Sequence, residues 1–293
     1  MITSLHNKTI FYAHFVRIWL SGYDRLMELR LLCVGDVVGS PGRRMLQEGI
    51  PILVQTHGIE CVIVNAENAA AGSGLTGDLY QKIVRAGANL ITMGDHIYRR
   101  KEIIQTLETA DNIVRPANLP TAAPGREAAI FQTASGHSVA VVSVLGRMFM
   151  KTPANCPMAA VDRVLASLPK TVKIVVVEMH AEATSEKIAL GWYLDGRVSA
   201  VVGTHTHVPT ADERILPKGT AYITDLGMTG PYDSVLGREK DRVVGSMLTG
   251  VPSTFDVAAG DPRLCGAVVT VETSTGRATR IERVRYDGKE GGA

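Results

Sequence analysis

Ala200-Val201-Val202-Gly203-Thr204-His205-Thr206-His207 decides the reading of this 293-residue chain. Its β-branched beginning predicts a buried strand. Gly203 breaks that run, and two imidazoles follow on one short loop. Neutral imidazole is a common metal ligand. A His-x-His pair at a strand end can hand one ring to each of two ions, or both to one; alone it could be surface decoration. Four other apolar runs end in the same way. Leu31-Leu32-Cys33-Val34-Gly35 meets Asp36, and Cys61-Val62-Ile63-Val64 meets Asn65-Ala66-Glu67-Asn68. Leu90-Ile91-Thr92-Met93-Gly94 meets Asp95-His96, and Lys173-Ile174-Val175-Val176-Val177 meets Glu178-Met179-His180. In an open α/β sheet, ligands bind at the carboxyl ends of strands. Ordered along one edge, these strands would gather Asp36, Glu67, Asp95, His180, His205 and His207. Carboxylates and imidazoles without thiolate suit Mn, Fe or Zn and disfavour a Cys-rich structural zinc site.

The composition bounds the size and class of the chain. The chain is 45% hydrophobic and 20% charged, enough for one large domain or two small ones. A net charge of +2 without a long basic run argues against a nucleic-acid groove or an anionic membrane surface. No stretch is long and apolar enough to span a bilayer. The four cysteines form no C-x-x-C pair, and Cys33 and Cys61 fall inside predicted buried strands. Reduced thiols there fit a cytoplasmic location. The segment from Ile10 to Leu20 is interrupted by His14 and Arg17 and lacks a signal-peptide cleavage pattern. Residues 1–26 read as an over-extended leader with the true start at Met27; an amphipathic helix capping the core is the alternative.

From Glu28 onward, strands alternate with helices. Helices are expected at Pro41–Thr56, with Ser40 as N-cap, and at Thr76–Ala86, with Thr76 as cap. Others are expected at Arg99–Leu107, Ala159–Leu168 and Ser185–Tyr193. Ala128–Thr133 and Ser138–Leu145 form a hairpin pattern. Thr220–Thr224, Ala267–Val271 and Ala278–Tyr286 read as further strands, before a mobile tail at 287–293. With no composition break, residues 27–286 read as one domain of mixed sheets with helices outside. His57 and His137 read as turn positions. Arg115 and Asn118 either face a phosphate or shape the Pro116 loop.

Longer strings surround these residues: Gly35-Asp36-Val37-Val38-Gly39-Ser40-Pro41-Gly42-Arg43, Asn65-Ala66-Glu67-Asn68-Ala69-Ala70 and Arg115-Pro116-Ala117-Asn118. They continue as His180-Ala181-Glu182-Ala183-Thr184-Ser185-Glu186-Lys187, Val202-Gly203-Thr204-His205-Thr206-His207-Val208 and Thr224-Asp225-Leu226-Gly227-Met228-Thr229-Gly230-Pro231. Their order resembles the calcineurin-like metallophosphoesterases, and most closely the YmdB-type bacterial phosphodiesterases, from about Met27 to Tyr286. The resemblance implies a four-layer α/β/β/α sandwich of two mixed sheets with a dinuclear metal centre at one sheet edge. It implies one ion on Asp36, Glu67, Asn68 and His207, and a second on Glu67, Asp95, His180 and His205, with Glu67 bridging. His96 would donate the proton to the leaving oxygen. The implied activity is phosphodiester hydrolysis, of cyclic AMP or 2',3'-cyclic nucleotides, by a metal-bound hydroxide on iron or manganese. The partner is a small-molecule phosphodiester, and self-association is a further expectation. One departure is visible: the family writes Gly-Asn-His where this chain has Gly94-Asp95-His96.

Two competing readings follow. A metal-dependent amide hydrolase also uses His-x-His, but Glu67-Asn68 and Gly94-Asp95-His96 fit phosphoryl chemistry better. A catalytically weak regulator that binds metal or nucleotide on the same fold is kept open by Asp95.

Overall fold

In the computed structural model, which describes residues 28–288, strand β1 (Glu28–Val34) is apolar on both faces. Leu29, Leu31 and Cys33 enter one buried cluster, and Leu32 and Val34 enter another. A strand apolar at both parities must be covered on both sides. β1 pairs in parallel with β3 (Cys61–Asn65), followed by β4 (Leu90–Thr92) and β5 (Ile113–Val114). On its other side β13 (Pro262–Glu272) runs antiparallel. β12 (Met228–Pro231), β2 (Asp36–Val37) and β14 (Ala278–Asp287) complete this first sheet. The second sheet runs in the order β10 (Arg214–Ile215), β11 (Ala221–Ile223), β9 (Ala200–Thr204), β8 (Ile174–His180), β7 (Ser138–Leu145), β6 (Ala128–Gln132). It too is mixed, with parallel β7, β8, β9 and β11 between antiparallel edge strands.

The two sheets face one another through Leu31, Cys33 and Ile63 on one side and Val141, Val176 and Val202 on the other. Helices α1 (Gly39–His57), α2 (Gly77–Arg85) and α3 (Ile103–Thr109) cover the outer face of the first sheet through residues such as Met45, Ile83 and Leu107. α4 (Pro157–Ser167) and α5 (Thr184–Leu194) cover the second through Val161, Val164 and Leu190. The architecture is therefore the four-layer calcineurin-like sandwich that the sequence leads one to expect. Parallel register aligns the carboxyl ends of β3 and β4 (Asn65 opposite Thr92) and of β7, β8 and β9 (Leu145 opposite His180 opposite Thr204). That alignment makes the site edge.

Some local expectations change. Ser40 is not the cap of α1. The helix begins at Gly39 after Val38, and no side chain caps it. Tertiary bonds set its start instead: the Val38 N–H donates to Thr229 O and the Gly39 N–H to Asn68 O. Thr76 does cap α2, accepting from the Leu79 N–H at 3.2 Å. β13 extends well beyond Ala267–Val271, and a helix α6 (Lys240–Thr249) stands where none was expected. Asp287 closes β14 rather than opening a tail. The proposed leader and the rest of the tail lie outside the described residues. Among the described residues, no helix is long and apolar enough to cross a membrane. Cys33, Cys61 and Cys265 are buried free thiols, whereas Cys156 is exposed.

Candidate metal centre

Side-chain alternation explains which groups reach the site. In β8, Ile174 and Val176 face the opposite sheet, so Glu178 and His180 share that side. His180 is the last residue of the strand and fully buried. Its Nδ1 meets Thr204 Oγ1 at 2.9 Å, which turns Nε2 towards Glu67 Oε1 (3.2 Å) and Asp95 Oδ1 (3.1 Å). His205 Nδ1 lies 3.1 Å from the same Nε2 and 3.5 Å from Asp95 Oδ1. Glu67, Asp95, His180 and His205 each offer a ligand atom within 4.8 Å of the others.

A second group adjoins it through Glu67. Asn68 Nδ2 lies 3.1 Å from Glu67 Oε1 and 3.3 Å from His207 Nε2. His207 Nε2 is 3.9 Å from Asp36 Oδ1. Asp36 is fully buried; its Oδ2 accepts the His205 N–H, while its Oδ1 has no hydrogen-bond partner. An orphaned buried carboxylate oxygen is costly unless a cation serves it. Gly94 keeps the centre open, because a Cβ there would stand 2.1 Å from Glu67 Oε2 and 2.4 Å from His180 Nε2. These oxygen and imidazole donors fit metal ions.

The electrostatics point the same way. Burial disfavours charge on His180, but Glu67, Asp95 and Asp36 outweigh it and hold the imidazole well above its ordinary pKa. Burial likewise opposes charge on Asp95, yet the hydrogen bonds from His180 and His205 draw it far below the usual carboxylate range. Glu67 is lowered for a similar reason: burial resists, and His180 prevails. Asp36 is raised, because its burial exceeds the attraction of His207 and His180. A cluster this rich in carboxylates draws positive charge to itself.

His96 sits at the mouth, with 27% of its side chain exposed. Its Nδ1 lies 2.8 Å from Asn68 Oδ1, and its backbone N–H donates to Glu67 Oε2. Arg115 and Asn118 are elsewhere occupied. The Arg115 guanidinium donates to Gly125 O, Pro116 O and Glu127, and Asn118 binds Leu145 and Asn155 backbone groups. Of the two readings, both residues follow the loop-shaping one.

Four residues near the site escaped the sequence reading. Thr204 orients His180, and Glu182 Oε2 reaches His205 Nε2 at 3.2 Å. Glu178 accepts from Asn65 Nδ2 and Thr92 Oγ1 across the two sheets. Asp225 lies beneath the His205–His207 loop. Strand parity was the available signal for Thr204 and Glu178.

The whole chain has close likenesses among known proteins. The chain is 47% identical over 256 residues to the 2',3'-cyclic-nucleotide 2'-phosphodiesterase of Bacillus subtilis (strain 168), covering 87% of this chain and 96% of the relative. The crystal structure of a novel phosphatase from Mycoplasma pneumoniae superposes with a TM-score of 0.83 at 32% identity, covering 89% of this chain and 94% of that one. A hypothetical protein from Thermus thermophilus superposes with a TM-score of 0.82 at 41% identity, covering 88% of this chain and 99% of that one. The model of a family described as YmdB-like protein matches residues 32–284, and the chain belongs to that family.

Proposed function

We propose that this chain is a dinuclear metal-dependent phosphodiesterase acting on cyclic nucleotides, with 2',3'-cyclic nucleotides as the leading substrates. The convergence of Glu67, Asp95, His180 and His205 within 4.8 Å carries the reading. Asp36 and His207 supply the second set of donors across Glu67; Asn68 faces them through Nδ2, an N–H donor rather than a ligand atom, and keeps Oδ1 on His96. Iron or manganese suits both sets. Two such ions, when bound, neutralise phosphoryl oxygens and make a water-derived nucleophile available at neutral pH.

The chain's own groups do the rest. Glu67 and Asp95 remain carboxylates, so the site keeps its charge across the neutral range. Asn68 Oδ1 accepts from His96 Nδ1–H, which leaves His96 Nε2 as the nitrogen that gains or gives a proton. Asp95 Oδ2 lies 3.9 Å from that nitrogen. His96 then protonates the ribose oxygen as the phosphodiester opens. Asp95 is fully integrated with His180 and His205, which supports a ligand role for the carboxylate. A cytoplasmic location, suggested by the free thiols, is part of the same proposal.

Elemental analysis beside a panel of cyclic and linear phosphodiesters tests this reading. We expect bound transition metal, turnover of 2',3'-cyclic nucleotides, and loss of both in Glu67→Ala. Full metal and normal turnover in Glu67→Ala would remove the dinuclear assignment. Bound metal with no turnover on any ester would instead leave a metal-binding regulator.

A further inference from the structure

Beneath the metal centre lies a buried ion pair that the reaction itself does not use. Lys187, in α5, and Asp225, after β11, are both fully buried, with Nζ 2.6 Å from Oδ2. Asp225 Oδ2 also accepts the Thr206 N–H (3.2 Å) and the Thr206 hydroxyl (2.7 Å), and Oδ1 accepts the Gly227 N–H (2.8 Å). Thr206 is the residue between the two loop histidines. His205 and His207 both have left-handed backbones, with φ of +92° and +65°. Such conformations are unfavourable for residues with a Cβ and persist only where surrounding contacts hold them. Gly203 adds to the arrangement: a Cβ there would lie 1.7 Å from Thr224 O and 2.9 Å from the Lys187 stem. The lysine therefore reaches Asp225 directly under the end of β9.

We propose that Lys187 and Asp225 are positioning residues that hold Thr206 inward and so aim His205 and His207 at the two halves of the metal centre. The inference rests on the metal-centre reading above. With Thr206 fastened on one side, its neighbours turn to the other. One ring goes to Glu67 and Asp95, the other to Asp36 and Asn68. A single carboxylate thus sets the separation of the rings. Lys187 compensates the charge that Asp225 carries inside the protein, where an unpaired charge would be severely unfavourable.

Thr206→Val tests this with the least disturbance, since it removes only the hydroxyl bond to Asp225. Asp225→Asn is the stronger companion, and Thr206→Ser is the rescue. The readouts are metal content after dialysis, the rate of metal loss to EDTA, and melting of the metal-free full chain. Thr206→Val is expected to lose metal about tenfold faster than the wild type, in the range seen when groups that orient ligands are removed. Its metal-free melting temperature should stay near wild type, and Thr206→Ser should hold metal like the wild type. Metal loss from Thr206→Val and Asp225→Asn at the wild-type rate would overturn the positioning role while leaving the metal centre intact. A wild-type chain that takes up no metal would overturn the metal-centre reading and this inference together.

Discussion

At the scale of single residues, charge and proton position separate the roles of Asp95 and His96. Asp95 contributes a negative charge where the family writes a neutral amide, and it faces His180 and His205 at 3.1 and 3.5 Å. That charge strengthens metal retention, weakens the Lewis acidity of the ion it touches and repels a phosphate. Asp95→Asn is therefore expected to release metal to a chelator more readily, to turn over faster at neutral pH, and to move the alkaline limb of its pH–rate profile downward. A pH–rate profile of both forms beside a chelator titration decides this; a slower variant with unchanged profile and retention overturns it. His96 supplies a proton rather than a ligand. His96→Ala should keep its metal but lose about 10²–10⁴ in turnover on substrates with poor leaving groups. A nitrophenyl ester, whose leaving oxygen needs no proton, should suffer much less. Equal loss on both substrate types would take His96 out of the acid role.

At the scale of elements, two helix starts obey different forces. Thr76 caps α2 through its own hydroxyl, so Thr76→Ala should cost about 1 kcal/mol of stability. Ser40 sits exposed inside the first turn of α1 and makes no cap bond. Ser40→Ala should change stability by less than about 0.5 kcal/mol. Paired urea titrations check the contrast, and equal losses would show that local caps do not govern α2. Thr76 was legible because a cap is a local interaction between neighbours in the chain. Ser40 was misread because Thr229 and Asn68, far away in sequence, set the start of α1. The long β13 was shortened in the reading for a similar reason. Arg263 and Gly266 weaken its pattern, and pairing carries the strand through them: β12 and β14 flank Arg263, and β1 and β14 flank Gly266.

At the scale of the whole molecule, Glu178 ties the sheets together behind the metal centre. It bonds Asn65 of β3 at 2.7 Å and Thr92 of β4 at 2.6 Å from its place in β8. Burial, with a smaller push from Asp36, raises its pKa to about 7 despite these bonds and His180. An unfolded glutamate titrates near 4.3. Between those values the unfolded chain has released a proton that the folded chain still holds, so stability falls as pH rises through the window. The full cost, at most about 4 kcal/mol, is present above pH 7. Glu178→Gln removes it, so the metal-free variant should gain stability relative to wild type between pH 4.5 and pH 7.5. Urea titrations at the two values test this, and a constant difference would refute it. The same scale separates what the sequence determined from what the tertiary structure decided. Apolar runs and strand-end polar residues determined the strands, their alternation with helices and the acid–imidazole set, because each is written within a few neighbouring residues, whereas the four layers were implied by the family resemblance. Only the tertiary structure decided that Arg115 and Asn118 shape a loop, that Glu178 bridges two sheets, and that Lys187 and Asp225 lie under the histidine loop. Arg115 finds its partners within 12 residues but through an irregular loop, and the others depend on partners 27 to 113 residues away, brought within hydrogen-bond reach by sheet order and register, which local pattern does not encode.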